Sequence, residues 1–339
     1  MDIRKTLELL TGAAGVSGAE SEASRTALEL LSEYAPGAQC DAFGNVTALI
    51  PAQDASAPTL MLDAHIDQIG FIVSYIDPDG FLKVGACGGP DMRIMLAQSV
   101  TVHGVQDIRG VVSTLPPHVS SDHTKVPEAG DIAIDIGMTR EEAEKSVPLG
   151  SRVTVDSDFR DLSDSVISAP SVDDRSGVCA VLCALDMLRG RKLRYNLAVC
   201  FSAQEETGER GVKGAAFRLQ PDEAIAVDVS FGRTPDSVPH ETAVLGSGAM
   251  IGYSAALDRG MSDSLKSAAE KNGIPYTIEV MPSSTGTNAD SISISRAGVK
   301  CCTVSIPIRY MHTPIETVRL SDIESAARLI CEYAAGGKN

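Results

Sequence analysis

The chain has 339 residues, 43% of them hydrophobic, enough for one large core or two smaller ones. Its 29 Lys and Arg against 45 Asp and Glu leave a net charge of −16, a surface that repels phosphate backbones and anionic membranes and argues against nucleic-acid partners. No stretch approaches the roughly 18 apolar residues of a membrane span, and the opening MDIRKTLELLTGAAG lacks the apolar segment of a secretory signal, so a soluble, cytoplasmic protein is expected.

In chain order, residues 3 to 34 read as a helix, a Gly/Ser-rich break and a second amphipathic helix starting near Glu20. A tight turn at Phe43-Gly-Asn45 precedes the strand VTALI, and TLMLDAHID (59 to 67) is a continuous apolar run of the parallel-sheet kind. From about Gln68 to Asp164 the texture changes to short alternating segments, FIVSYI, FLKV, SVTVHG, RGVVST, DIAIDI and SRVTVD, between Pro- and Gly-rich turns. One helical stretch, TREEAEKS (139 to 146), interrupts them. This is the pattern of a small β-rich domain inserted into an α/β domain, giving 1–67 and 165–339 as the two parts of the host and 68–164 as the insert.

Strands and helices then alternate: SGVCAVLCALDMLRG (176 to 190) as a buried helix, LAVCF (197 to 201) and EAIAVDV (223 to 229) as strands, MSDSLKSAAEKNG (261 to 273) as a helix ending in glycine. VKCCTVSI (299 to 306) reads as a strand leading to a loop, and SDIESAARLICEYAAGG as the closing helix. A mixed α/β sheet is the economical architecture. Cys179, Cys183, Cys200, Cys301 and Cys302 fall inside apolar runs and no C-x-x-C occurs, so reduced core thiols are expected. LGSGAMIG (245 to 252) has the wrong spacing for a dinucleotide loop, and no G-x-S-x-G, Walker A or H-E-x-x-H motif is present.

The informative pattern is which residues end the apolar runs: His65 and Asp67, the pair Glu205 and Glu206, Asp228, and His312 soon after the last strand. Asp173 and Asp174 stand just before a helix. Singly, each has an ordinary reading, such as a hydrogen-bonded strand-end histidine or a helix N-cap. Together they lie where open α/β sheets bind ligands, at the carboxyl edge. Two imidazoles with several carboxylates and no thiolate suit a pair of divalent ions such as zinc, cobalt or manganese. His103, His118, His123 and His240 lie in the insert or in a polar loop and are not expected to be ligands.

The segments AHIDQIG (64 to 70), SVDDRSG (171 to 177), QEETGERG (204 to 211), AVDVS (226 to 230), GTNADS (286 to 291) and RYMHTPIE (309 to 316) resemble, in order and spacing, the dinuclear-metal aminopeptidases. That family includes bacterial glutamyl aminopeptidase and the tetrahedral TET peptidases, and some members are labelled endoglucanases. The resemblance implies a mixed-sheet, zinc-peptidase-like catalytic domain. It implies His65 and Asp228 as ligands of one metal, Glu206 and His312 of the other, Asp173 bridging, Asp67 orienting His65, and Glu205 as general base. It implies peptide substrates with a free N-terminus, and an insert that serves homo-oligomer formation, from dimer to dodecamer. Where the family commonly has Glu, this chain has Gln68. Arg309, Thr287 and Asn288 are the candidates for substrate contact. The competing functions are a glycoside hydrolase of the endo-1,4-beta-glucanase type, built on Glu205 and a second acid, and a non-catalytic metal-binding oligomer.

Overall fold

The computed structural model describes residues 1–115, 118 and 126–335. The chain begins with α1 (Ile3–Thr11), capped by the Asp2 carboxylate, and α2 (Ser21–Ser32). Strands β1 (Gln39–Cys40), β2 (Val46–Ile50) and β3 (Thr59–His65) follow. Then come β4 (Gly70–Ile76), β5 (Leu82–Cys87), β6 (Ser99–His103), β7 (Asp107–Val112), β8 (Ala133–Asp135), α3 (Arg140–Ser146) and β9 (Arg152–Val155). β4 to β9 close into a barrel of order β4-β5-β8-β7-β6-β9 with its own core of Phe71, Val84, Val102, Ile134 and Val153. Among the described residues each of these strands has a partner on both sides.

The main sheet resumes with β10 (Arg160–Ser163) and β11 (Val166–Ala169), so its strands return before residue 164. α4 (Val172–Leu188), β12 (Asn196–Ser202), α5 (Arg210–Leu219) and β13 (Glu223–Phe231) come next. The chain then runs through β14 (Ala249–Ser254), α6 (Arg259–Asn272), β15 (Tyr276–Met281) and α7 (Asn288–Ser293). It finishes with β16 (Lys300–Arg309), β17 (Glu316–Arg319) and α8 (Leu320–Ala334). Among the described residues eleven strands form this mixed sheet, whose central strands β12, β3, β13 and β16 run parallel.

Residues alternate between the two faces of those strands. Leu60, Leu62, Val199, Ile225, Val227 and Val304 meet α4 and its neighbours, and α4 is apolar on nearly every side because other elements enclose it. Met61, Ala198, Ala224 and Cys301 meet α5 and α7 on the opposite face. Helices on both faces explain why β3 and β12 read as unbroken apolar runs. The cysteines are free thiols, and those expected in the core are buried.

Three segments carry elements that the sequence left unassigned. LGSGAMIG contains the start of β14, and the 276–281 segment, unassigned from sequence, is the edge strand β15. The polar stretch 283–291 is a loop only as far as Thr287, whose hydroxyl accepts the Ala289 N–H and starts α7. This cap turns a sequence that resembles a surface turn into a short helix.

Candidate metal centre

His65 ends β3, Glu205 and Glu206 follow β12, Asp228 lies near the end of β13, and His312 follows β16. Parallel pairing of these strands brings their carboxyl ends to one edge. Asp173 arrives from the other side, ahead of the regular turns of α4, where its backbone and that of Asp174 depart from helical angles. Its two carboxylate oxygens point to different imidazoles: Oδ1 is 2.9 Å from His65 Nε2 and Oδ2 is 3.4 Å from His312 Nε2. Asp228 Oδ1 is 4.0 Å from His65 Nε2, and Glu206 Oε1 is 3.5 Å from His312 Nε2. Two groups of donors result, His65–Asp173–Asp228 and Asp173–Glu206–His312, with Asp173 in both.

A further layer holds these side chains. His65 Nδ1 lies 3.1 Å from the Asp67 carbonyl and 3.5 Å from its carboxylate. That carboxylate also accepts the Glu205 N–H at 2.9 Å, the Glu206 N–H at 3.2 Å and the Ser17 hydroxyl at 2.5 Å. Asp67 thus fixes the turn bearing the adjacent glutamates as well as standing behind His65. Gln204, immediately before them, has φ +57°, and His312 has φ +62°. Such left-handed backbone at non-glycine residues persists only where surrounding contacts impose it. For His312 the constraint comes from Glu316, which accepts its N–H, and from the barrel, where the Gly89 carbonyl lies 2.9 Å from Nδ1. The insert therefore supplies part of the site.

The electrostatics are those of crowded, desolvated acids. Burial pushes Glu205 up to about 7, with His65 pulling it back, and pushes Glu206 up to about 8, with Asp173 adding to the rise. Burial likewise raises Asp228 and Glu316. Burial opposes ionisation of Asp173 too, but the His312 and His65 imidazoles outweigh it and hold this carboxyl below its usual range. His312 is raised to about 9, chiefly by Asp173. A donor set of this composition fits divalent cations, whose charge would offset a cost that two imidazoles alone do not cover.

Asp67, Glu205 and the five expected ligands are thus brought to one place. Arg309, Thr287 and Asn288, the residues expected to contact substrate, stand apart from this cluster and make contacts within the fold. Arg309 Nε donates to the Arg233 carbonyl, while Thr287 caps α7. Asn288 is buried beneath the site, where its amide donates to Asp63 and Ser202 at 2.8 Å each. Gln68 Oε1 accepts the Gly15 N–H, a duty within the fold. His103 pairs with Asp107 and Thr154 in the barrel, His240 is exposed, and His123 lies outside the described residues. The sequence reading missed Glu316, although it stands four residues after His312 in a recognised motif. It also missed Arg175, fully buried beside Asp174, whose guanidinium donates to the Leu10 and Ala13 carbonyls at the end of α1.

The fold and this cluster have known counterparts. The chain belongs to the M42 glutamyl aminopeptidase family, whose model matches residues 44–329. It is therefore an aminopeptidase, a hydrolase of peptide bonds. The lysyl aminopeptidase of Pyrococcus furiosus is 33% identical over 322 residues, spanning 93% of this chain and 92% of its own. The solved aminopeptidase APDkam598 of Desulfurococcus kamchatkensis superposes with a TM-score of 0.92 at 32% identity, covering 98% of this chain and 94% of that one. The Pyrococcus horikoshii TET1 peptidase, described as able to assemble into a tetrahedron or a large octahedral shell, superposes at 0.87 with 29% identity over 98% and 99% of the two chains.

Proposed function

We propose that this aminopeptidase uses two divalent ions to remove the N-terminal residue of peptides, with Glu205 as general base. The observation that carries the reading is Asp173, one oxygen on each imidazole, between two three-donor groups. His65, Asp228 and Asp173 would hold one ion, and Glu206, His312 and Asp173 the other. Zinc, cobalt or manganese bound there supplies Lewis acidity, polarising the scissile carbonyl and acidifying the attacking water.

Glu205 belongs to neither donor group and remains free to work on protons. Its carboxylate takes a proton from the attacking water and returns it to the leaving amine. Burial suits it to this task by raising its proton affinity toward neutrality. Asp67 aims it by holding its N–H, and the same carboxylate fixes Glu206 one residue on, so adjacent acids keep different orientations.

A glycoside hydrolase would leave both imidazoles at Asp173 without a task, and a metal store would leave Glu205 idle. We also propose that residues 68–164 form an association domain of a cytoplasmic homo-oligomer. The assembly described for the P. horikoshii relative supports this part of the reading. Among the described residues no helix is long and apolar enough to cross a membrane.

The test is a panel of aminoacyl amides and a cellulosic substrate, assayed with chelator and after metal add-back. Amide hydrolysis that stops with chelator and returns with metal is expected. Glucan cleavage that survives chelation would overturn the reading.

A further inference from the structure

A cavity opens at the edge of the main sheet formed by β14 and β15. β15 is the edge strand, and its Glu279 pairs in register with Gly252 of β14. The space over Gly252 is taken by Thr303 Oγ1 and Met281 Cε, and the Glu279 carboxylate reaches inward across β14. There it accepts the Ser305 hydroxyl at 2.8 Å and the Ser230 hydroxyl. Ser305 is the registered neighbour of Asp228 in the parallel β13–β16 pair, and Ser230 lies two residues beyond Asp228. Side chains two apart on a strand share a face and are about 7 Å apart along it. Glu279 therefore sits on the face that carries Asp228, about a lysine stem's reach away.

Above it is a cavity of ≈ 750 Å³, walled on the sheet side by Met250, Thr277, Glu279 and Met281 and on the other by the loop carrying Arg233 and Val244. The methionines and Val244 offer apolar surface for an aliphatic stem, and methionine adapts readily to varied shapes. Thr277 Oγ1 and Ser247 Oγ in the same wall are buried without a hydrogen-bond partner. Buried polar atoms of that kind are satisfied by water or by a ligand. The wall also holds Arg233, whose Nη2 donates to the Pro239 carbonyl of its own loop and whose Nε is buried without a partner. Burial pushes the Glu279 carboxyl up and the two serine hydroxyls pull it back, so an incoming cation would favour the charged form.

We infer that this cavity receives the side chain of the substrate's N-terminal residue and that Glu279 selects a long cationic one, lysine or arginine. The inference rests on the aminopeptidase reading and adds its substrate class. The ammonium or guanidinium forms a charge-assisted hydrogen bond to Glu279, while the stem lies along Met250 and Met281. Leucine gains the apolar contact alone. An acidic side chain would meet a carboxylate at the cavity floor.

The experiment compares kcat/KM for lysyl, leucyl and glutamyl p-nitroanilides in the metal-loaded wild-type protein and in Glu279→Gln, with bound metal measured in both. The wild type should prefer lysyl to leucyl and reject glutamyl. Glu279→Gln should lower the lysyl-to-leucyl ratio at least tenfold, mainly through KM, with metal content retained. Leucyl hydrolysis without a lysyl preference in the wild type, a measurement independent of how the variant folds, would overturn the pocket assignment alone. A glutamyl preference would do the same and point to Arg233. Hydrolysis of none of the three would overturn the aminopeptidase reading, and this inference with it.

Discussion

Glu316 accepts the backbone N–H of Asp173 at 2.9 Å through one carboxylate oxygen, and its other oxygen accepts the His312 N–H at 2.8 Å. A single buried side chain from β17 thus ties Asp173, which both donor groups share, to His312 of the second group. Glu316→Ala would leave the buried Asp173 N–H unpaired, at about 1–3 kcal/mol, and the half-buried His312 N–H without its acceptor. We expect it to lower bound metal from two ions toward one per subunit at fixed free metal, read by elemental analysis after dialysis. Glu316→Gln keeps one acceptor and should fall between. Full stoichiometry in the alanine variant would show that the clamp does not position the site.

The loop after β5 presses on the centre from the barrel side. A Cβ on Gly88 would lie 3.0 Å from Glu206 Oε2 and 2.8 Å from Ile69 Cγ2, and its φ of +73° suits glycine. Alanine there costs roughly 1–2 kcal/mol of backbone strain and displaces Glu206. Gly88→Ala should weaken metal retention and lower turnover. Gly130→Ala, which also alters the insert but meets nothing within 4 Å, serves as the control and should match the wild type. Equal metal affinity in the two variants would contradict a link between the insert and the site.

Much of this centre was legible in the sequence because strand ends announce themselves. An apolar run that stops at His65 or at Glu205–Glu206 places those side chains at the carboxyl edge once the sheet is parallel. The change of texture after Gln68 likewise marked the barrel, since period-two alternation with Pro and Gly turns is a local signal. Contacts between distant segments were not legible. Nothing local to Glu316 says that its oxygens meet the N–H groups of Asp173 and His312, and nothing near Gly89 announces a carbonyl for His312. β15 escaped notice because, among the described residues, only β14 pairs with it and its side chains are half-buried or exposed, without a continuous apolar run. The contacts of Thr287 and Asn288 were not legible either, because polar residues that cap a helix or pair with a buried aspartate resemble a solvated loop.

The barrel leaves apolar side chains uncovered: Val105 is 74% and Leu149 is 64% exposed, on adjoining turns joined by the Val105 N–H to Ser146 carbonyl bond. In an association domain such residues are covered by another copy. Replacing both by aspartate should reduce the molar mass seen by sedimentation while leaving the barrel folded, because neither contributes to its core. An unchanged mass would place the association surface elsewhere.

The central claim is that adjacent glutamates divide the work, Glu206 holding metal and Glu205 moving the proton. Its most direct test is Glu205→Gln, with turnover of an aminoacyl amide and bound metal measured on the same sample. Loss of a general base costs about 10²–10⁴ in rate, so turnover should fall by that order while metal content stays at the wild-type level. Wild-type turnover in the variant would contradict the account, and so would loss of metal in parallel with activity.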